Sequence, residues 1–371
     1  MYAGSSQKVR LRPLAAVLSA LVVLAGGSCG NPVPPSPTGG TAVDAVAVDL
    51  PSLCGRIDRV LAHARDGRRL DARVHGAWQV VHGILAFGRD FQIAHDGTSS
   101  GALDYLLDGG RLAGWTLRPG IPGIVAPVEA GSTTAQGHPD QWLGYLAQCG
   151  LGGIPADTRL RVGDADRTVA DLLEQAKADI RPGQEATWTL MALAAYLPPD
   201  AAWVAGDGSR WTTERVVEME AEADLFGAAC GGAHRAYGLA AALDAFRADA
   251  ERKNGSRPTA LAGGWARAAE RLDDAVDRAR RFQQADGSFS IHSFERSGTS
   301  SDVFAKLGAT GHVFEVLAVA LDDDRLAEPW VARAADRLVT MLENTADVEV
   351  ECGALYHAAH GLLLYRSRVC K

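Results

Sequence analysis

Two kinds of helical segment alternate along this chain, and the alternation restricts the fold more than any other feature. One kind is amphipathic with a charged face, at residues 56–73, 168–179, 212–224, 265–284 and 328–344. In the second of these, Val169, Leu172, Leu173 and Ala176 recur at helical spacing with acids and bases between them. The other kind is apolar nearly all round, at residues 76–88, 140–149, 185–197, 232–246, 310–321 and 353–365. A helix without a charged face has to be buried on every side. Six such helices interleaved with five surface helices predict an all-α domain over 50–371, an α/α toroid of about six helix pairs with an inner ring wrapped by an outer one. An open α-solenoid is the alternative, and it keeps its termini apart. A closed ring brings Leu53 and Tyr365 together.

The rhythm breaks over residues 95–137, where a sixth outer helix is due. Gly, Ser, Thr and Pro crowd this stretch, and Asp108-Gly109 between 105–107 and 111–115 reads as the turn of a short hairpin. The outer helix is therefore expected to be replaced by an irregular insertion, either a partial lid or a surface loop.

The first 29 residues read as a secretion signal. Lys8, Arg10 and Arg12 precede an apolar run over 14–24, too short for a membrane span, and small residues follow it. Cys29 comes directly after them and resembles the lipidated cysteine of bacterial lipoproteins, although Gly26 stands where such signals carry Leu. Prolines 32, 34, 35 and 37 make residues 30–49 a semi-rigid linker. The expected address is the periplasm or cell envelope, with membrane contact only through a lipid on Cys29. Loss of the three basic residues takes the net charge from −8 to −11, which argues against a nucleic-acid partner. Five cysteines remain without a Cys-x-x-Cys spacing, so a zinc ribbon is not expected and one thiol at least is left without a partner in the chain.

The segment Gln283-Gln284-Ala285-Asp286-Gly287-Ser288-Phe289 ends an outer helix and is similar to the Gln-x-x-x-Gly-x-Trp/Phe repeat of prenyltransferases and squalene cyclases. Together with the helix alternation, it makes the chain resemble the terpenoid cyclase and protein prenyltransferase superfamily of α/α toroids. The resemblance implies that Gln283 or Gln284 and Phe289 tie a helix end to its neighbour, with Gly287 at the turn. The catalytic Asp-x-Asp-Asp of the cyclases is missing, and the Asp, Cys and His zinc ligands of the prenyltransferases have no clear counterpart. The resemblance therefore speaks for fold rather than activity.

Polar pairs three residues apart stand on the apolar helices: Gln79 and His82, His234 and Tyr237, His312 and Glu315, His357 and His360. Residues at that spacing share a helix face. In a ring they point into the central hollow, making His82, His234, Tyr237, His357 and Trp78 candidate lining residues for a small, partly apolar ligand. Trp142 and Trp188 are candidates for an apolar floor. Two chemistries are open: a transition metal such as zinc held by His312, Glu315, His357 and His360, or acid–base catalysis by His312 or His360 with Glu315. Cys230, four residues before His234, is either a nucleophile or a structural thiol. An envelope enzyme and a non-catalytic binding module both fit these residues.

Overall fold

The computed structural model describes residues 48–371. The expected signal with Cys29, and the linker as far as residue 47, lie outside the described residues. In chain order, α1 (Leu50–Asp66) and the two-residue β1 (Leu70–Asp71) precede α2 (Ala77–Phe87). The hairpin β2 (Gln92–His95) and β3 (Thr98–Gly101) runs straight into α3 (Ala102–Leu107), and the pair β4 (Arg118–Pro119) and β5 (Ile124–Val125) precedes α4 (Gln141–Gln148). A second hairpin, β6 (Arg159–Val162) and β7 (Ala165–Thr168), leads into α5 (Val169–Asp179), followed by α6 (Thr187–Tyr196). A third, β8 (Ala202–Val204) and β9 (Arg210–Thr212), leads into α7 (Thr213–Glu222). The rest is helical: α8 (Ala233–Asn254), α9 (Gly263–Arg281), α10 (Val303–Ala320), α11 (Asp323–Leu326), α12 (Pro329–Asn344) and α13 (Cys352–Val369). The all-α class holds, with strands confined to three short pairs and one three-stranded sheet, β1-β2-β3, in which β1 runs parallel to β2.

The apolar helices pack in sequence. α2 lies on α4, α4 on α6, α6 on α8, α8 on α10, α10 on α13, and α13 returns to α2. The amphipathic helices lie against this set: α9 on α8, α12 on α10, and α1 on α12 and α13. Helix α10 is long and apolar enough to cross a membrane by length and composition. Its apolar residues are spent inside the fold instead, between α8 and α13. The α10–α13 contact is the most extensive, and glycines bring the two backbones close. A Cβ on Gly311 would sit 3.0 Å from the backbone of Ala358, and one on Gly361 would sit 3.1 Å from that of Glu315.

Three expectations need correction. Residues 102–107 are helical rather than a hairpin arm, because Ala102, Leu103, Leu106 and Leu107 bury one helical face. A short helix is thus present where the rhythm breaks, and the irregular stretch follows it. The first helix ends at Asp66 instead of continuing to 73, because the chain turns out at Gly67 and forms β1. Short strands also interrupt the expected all-α domain, since α3, α5 and α7 start directly from the second strand of a hairpin.

The tie expected at residues 283–289 is made by Gln283. Its Nε2 donates to Gly287 O at 3.0 Å and to Trp330 O at 2.8 Å, joining the end of α9 to the start of α12. Phe289 is buried with its ring 6.1 Å from that of Trp330.

Cys54 in α1 and Cys370 after α13 form a disulfide across 316 residues, so the two ends of the described domain meet. An open solenoid with distant ends does not fit this link. Closing so long a loop restricts the unfolded chain strongly, by about 6 kcal/mol in the chain-entropy account. Cys54→Ser should lower the unfolding free energy by up to that amount in urea titrations and abolish any further effect of reductant. Cys149→Ser should leave the reductant sensitivity intact.

Candidate active site

A cavity of about 410 Å³ opens at the N-terminal ends of α2, α4, α6, α8, α10 and α13. Its wall carries five histidines, His82, His138, His234, His312 and His357, with Trp78, Tyr145, Trp188 and Cys230. A larger cleft of about 890 Å³ lies toward the other ends of α8 and α10. That cleft is lined by Arg–Asp pairs such as Arg257–Asp244, which satisfy one another, and the chemistry-bearing groups are in the smaller cavity.

In three of the four polar pairs the N-terminal member reaches the cavity: His234, His312 and His357 line it, while Tyr237, Glu315 and His360 do not. In the fourth, His82 lines the cavity and Gln79 caps its own helix, accepting from Gly76 N at 2.8 Å. Trp78 and Trp188 line the cavity as expected, whereas Trp142 is core, with its ring 5.9 Å from Trp115.

The expected ligand set His312, Glu315, His357 and His360 does converge, but not around an open centre. Glu315 accepts from His357 Nδ1 at 2.8 Å and from His360 Nδ1 at 2.5 Å, so each of its oxygens already has a partner. His360 Nε2 donates to Gly150 O at 3.0 Å, which places acceptors on both sides of that ring and leaves no lone pair for a metal or a substrate proton. Glu315 and His360 are therefore corrected from ligands and catalytic groups to positioning groups. Burial works against the charge on Glu315, yet the contacts with His357 and His360 outweigh it and hold the carboxyl well below the usual carboxylate range. Burial likewise drives His357 toward its neutral form. With Nδ1 anchored on Glu315, its Nε2 is buried without a partner and faces the other imidazoles, its ring 4.1 Å from that of His312 and 5.0 Å from that of His234.

The ligating atoms that do come together are those of Cys230, His234 and His312, all within 4.8 Å of one another. His312 donates from Nδ1 to Gly308 O at 2.7 Å, which fixes its tautomer and leaves Nε2 for the cluster. Cys230 has φ 53°, and Gly231 and Gly232 follow with φ 64° and 86°. Three left-handed residues in a row fold the cysteine back over the first turn of α8, where His234 stands. Side chains at the two glycines would be strained and would collide with Ser293 and with Leu225 O. Burial pushes the Cys230 thiol up, but His312 and His234 outweigh it and pull it well below the ordinary thiol value, and the same contact raises His312 against its own burial.

Sequence reasoning missed His138, Glu185 and Tyr145. Tyr145 meets His82 Nε2 at 3.4 Å, while His82 Nδ1 donates to Trp78 O at 2.5 Å. His138 precedes α4 and donates from Nδ1 to Glu185 Oε2 at 2.7 Å. Neither His138 nor Glu185 belongs to a spaced pair, so periodicity could not find them. The left-handed turn before His234 was the available signal for Cys230, since Gly231-Gly232 marks it. Comparison with protein families, curated proteins and solved structures gives no match for this chain.

Removing one member of a buried charge pair costs about 3–5 kcal/mol. Glu315→Gln should destabilise the protein by that order in urea titrations at pH 7. Glu315 titrates below its unfolded value, so its stabilisation is present above about pH 4.3 and is lost as the pH falls through the lower folded value. The gap between variant and wild type should therefore narrow in acid.

Proposed function

We propose that this chain is an exported enzyme whose inner helices close an α/α toroid, and that a zinc-class metal held in the cavity by Cys230, His234 and His312 acts on a small, partly apolar molecule. The convergence of those three ligating atoms on the cavity wall carries the reading. One thiolate and two imidazoles form a borderline-soft donor set that suits zinc, and three protein ligands leave a fourth position for water or substrate. The orphaned, buried His357 Nε2 beside them fits such a centre, because a buried nitrogen with no partner is costly unless something occupies its lone pair. A metal bound there would polarise a carbonyl or a water molecule. Trp78, Trp188 and Phe304 supply the apolar part of the wall.

The return of α13 onto α2 supports a closed ring, and the Cys54–Cys370 disulfide favours an oxidising compartment such as the periplasm. An address in the envelope, and an anchor through Cys29, are part of the same reading. A metal-free thiolate–imidazolium pair is the second reading, favoured by the mutual pull between Cys230 and His312.

Elemental analysis of protein purified without a histidine tag decides between them. One equivalent of metal per chain is expected, and cobalt substitution should give a sulfur-to-metal charge-transfer band. Cys230→Ser should remove that band, and His312→Gln should weaken binding by more than the ~10–100-fold that an outer hydrogen-bond partner is worth. Metal-free protein whose Cys230 is alkylated rapidly by iodoacetamide would favour the second reading.

A further inference from the structure

We propose that His138, oriented by Glu185, is the group that moves protons in this cavity, and that the reaction it serves is hydrolysis of a small, partly apolar acyl compound. The inference rests on the cavity being the active site. It comes first from elimination among the five cavity histidines. His234 and His312 each commit a nitrogen to the cluster with Cys230. His82 is held by Trp78 O on one side and meets Tyr145 on the other. His357 has Nδ1 on Glu315, and its Nε2 is closed off from solvent. Only His138 among them keeps about a third of its side chain exposed, and its Nε2 has no hydrogen bond and is not enclosed.

His138 lies in an irregular stretch, yet its ring is held on two sides. Glu185 at the start of the α6 segment takes its Nδ1 proton at 2.7 Å, and its ring stacks on Trp188 of α6 at 4.5 Å and 29°. The turn that carries it is set by Gly137 N donating to Gln141 Oε1 at 2.9 Å. Asp140, two residues on, is left-handed with φ 57°, and its Oδ2 accepts from Thr189 at 2.5 Å. A non-glycine residue persists in that conformation only where its surroundings hold it, and such strain gathers at functional sites. A carboxylate on Nδ1 fixes the tautomer with Nε2 free to take a proton, the arrangement a general base needs. The hydrogen bond to Glu185 also raises the proton affinity of the ring, so that it can hold the proton it takes.

The step balances with water alone. His138 Nε2 accepts a proton from water as the water oxygen bonds to the acyl carbon. The bond from that carbon to the leaving oxygen then breaks, and His138 returns the proton to that oxygen, giving an acid and an alcohol.

Two measurements test this. The first needs no turnover: diethyl pyrocarbonate, mapped by mass spectrometry on the whole protein, should modify His138 faster than His82 and His357. Equal protection of all three overturns the claim that His138 is the open imidazole. The second uses p-nitrophenyl butyrate with metal-loaded protein. His138→Gln should lower kcat by about 100-fold or more, within the usual worth of a general base, with metal content and circular dichroism unchanged. Glu185→Gln should have an effect in the same direction, because its amide can donate to Nδ1 and move the ring proton to Nε2. Hydrolysis that survives His138→Gln but is lost in Cys230→Ser overturns the role of His138 and leaves the metal reading standing. Metal-loaded wild type that does not hydrolyse the ester overturns the hydrolytic assignment. A protein without metal that still loses hydrolysis in His138→Gln overturns the metal reading and supports His138.

Discussion

The carboxylate of Glu315 is buried against two imidazoles, and three of the apolar helices are tied by that contact. Glu315 stands on α10, His357 and His360 on α13, and His360 reaches on to Gly150 O just past α4. A charge in a low-dielectric interior is tolerable only with close partners, so the helices must meet at one separation. Glycines permit it: Gly311 lies against Ala358, and Gly361 against Glu315. The same contact turns His357 so that its free nitrogen faces His312 and His234. The position of the cavity cluster is thus set from behind, by a group that does not line the cavity.

The helical layout was legible because burial on all sides leaves a plain mark in a sequence: α2, α4, α6, α8, α10 and α13 each coincide with or extend a segment that lacks a charged face. The hairpins were not legible. Their strands run two to four residues, too short for an alternation to stand out, and Thr168 and Thr212 end a strand and begin a helix at one residue. The paired spacing found the right helix faces but could not tell which member of a pair meets the cavity. Residues three apart share a face yet differ by most of a turn in depth, and in three of the four pairs the N-terminal member is at the wall while the C-terminal member lies behind it.

What the spacing could not reach is held by backbone instead of by period. Cys230 enters the cluster through a run of left-handed residues, and His138 is presented from a turn that includes left-handed Asp140. Cys230 and Asp140, the non-glycine residues among them, each cost of order 1–3 kcal/mol and are retained because the neighbours over-determine them. Ser293 and Leu225 crowd Gly231 and Gly232, and Thr189 holds Asp140. Two strained non-glycine residues, Cys230 and Asp140, therefore stand at or beside the two groups with open chemistry.

The opposite ends of the same helices carry a different kind of bond. Arg368 near the end of α13 donates to Ala318 O and Leu321 O at the end of α10, Arg366 pairs with Asp58 on α1, and Cys370 is joined to Cys54. The Arg368 bonds satisfy carbonyls that the C-terminus of α10 leaves open, and the disulfide adds a covalent link between the first and last helices. Fixing α10 and α13 to one another at their C-terminal ends leaves their N-terminal ends free to line the cavity. That freedom leaves a polar hollow between apolar helices, and only there can imidazoles and a thiol face one another instead of the core.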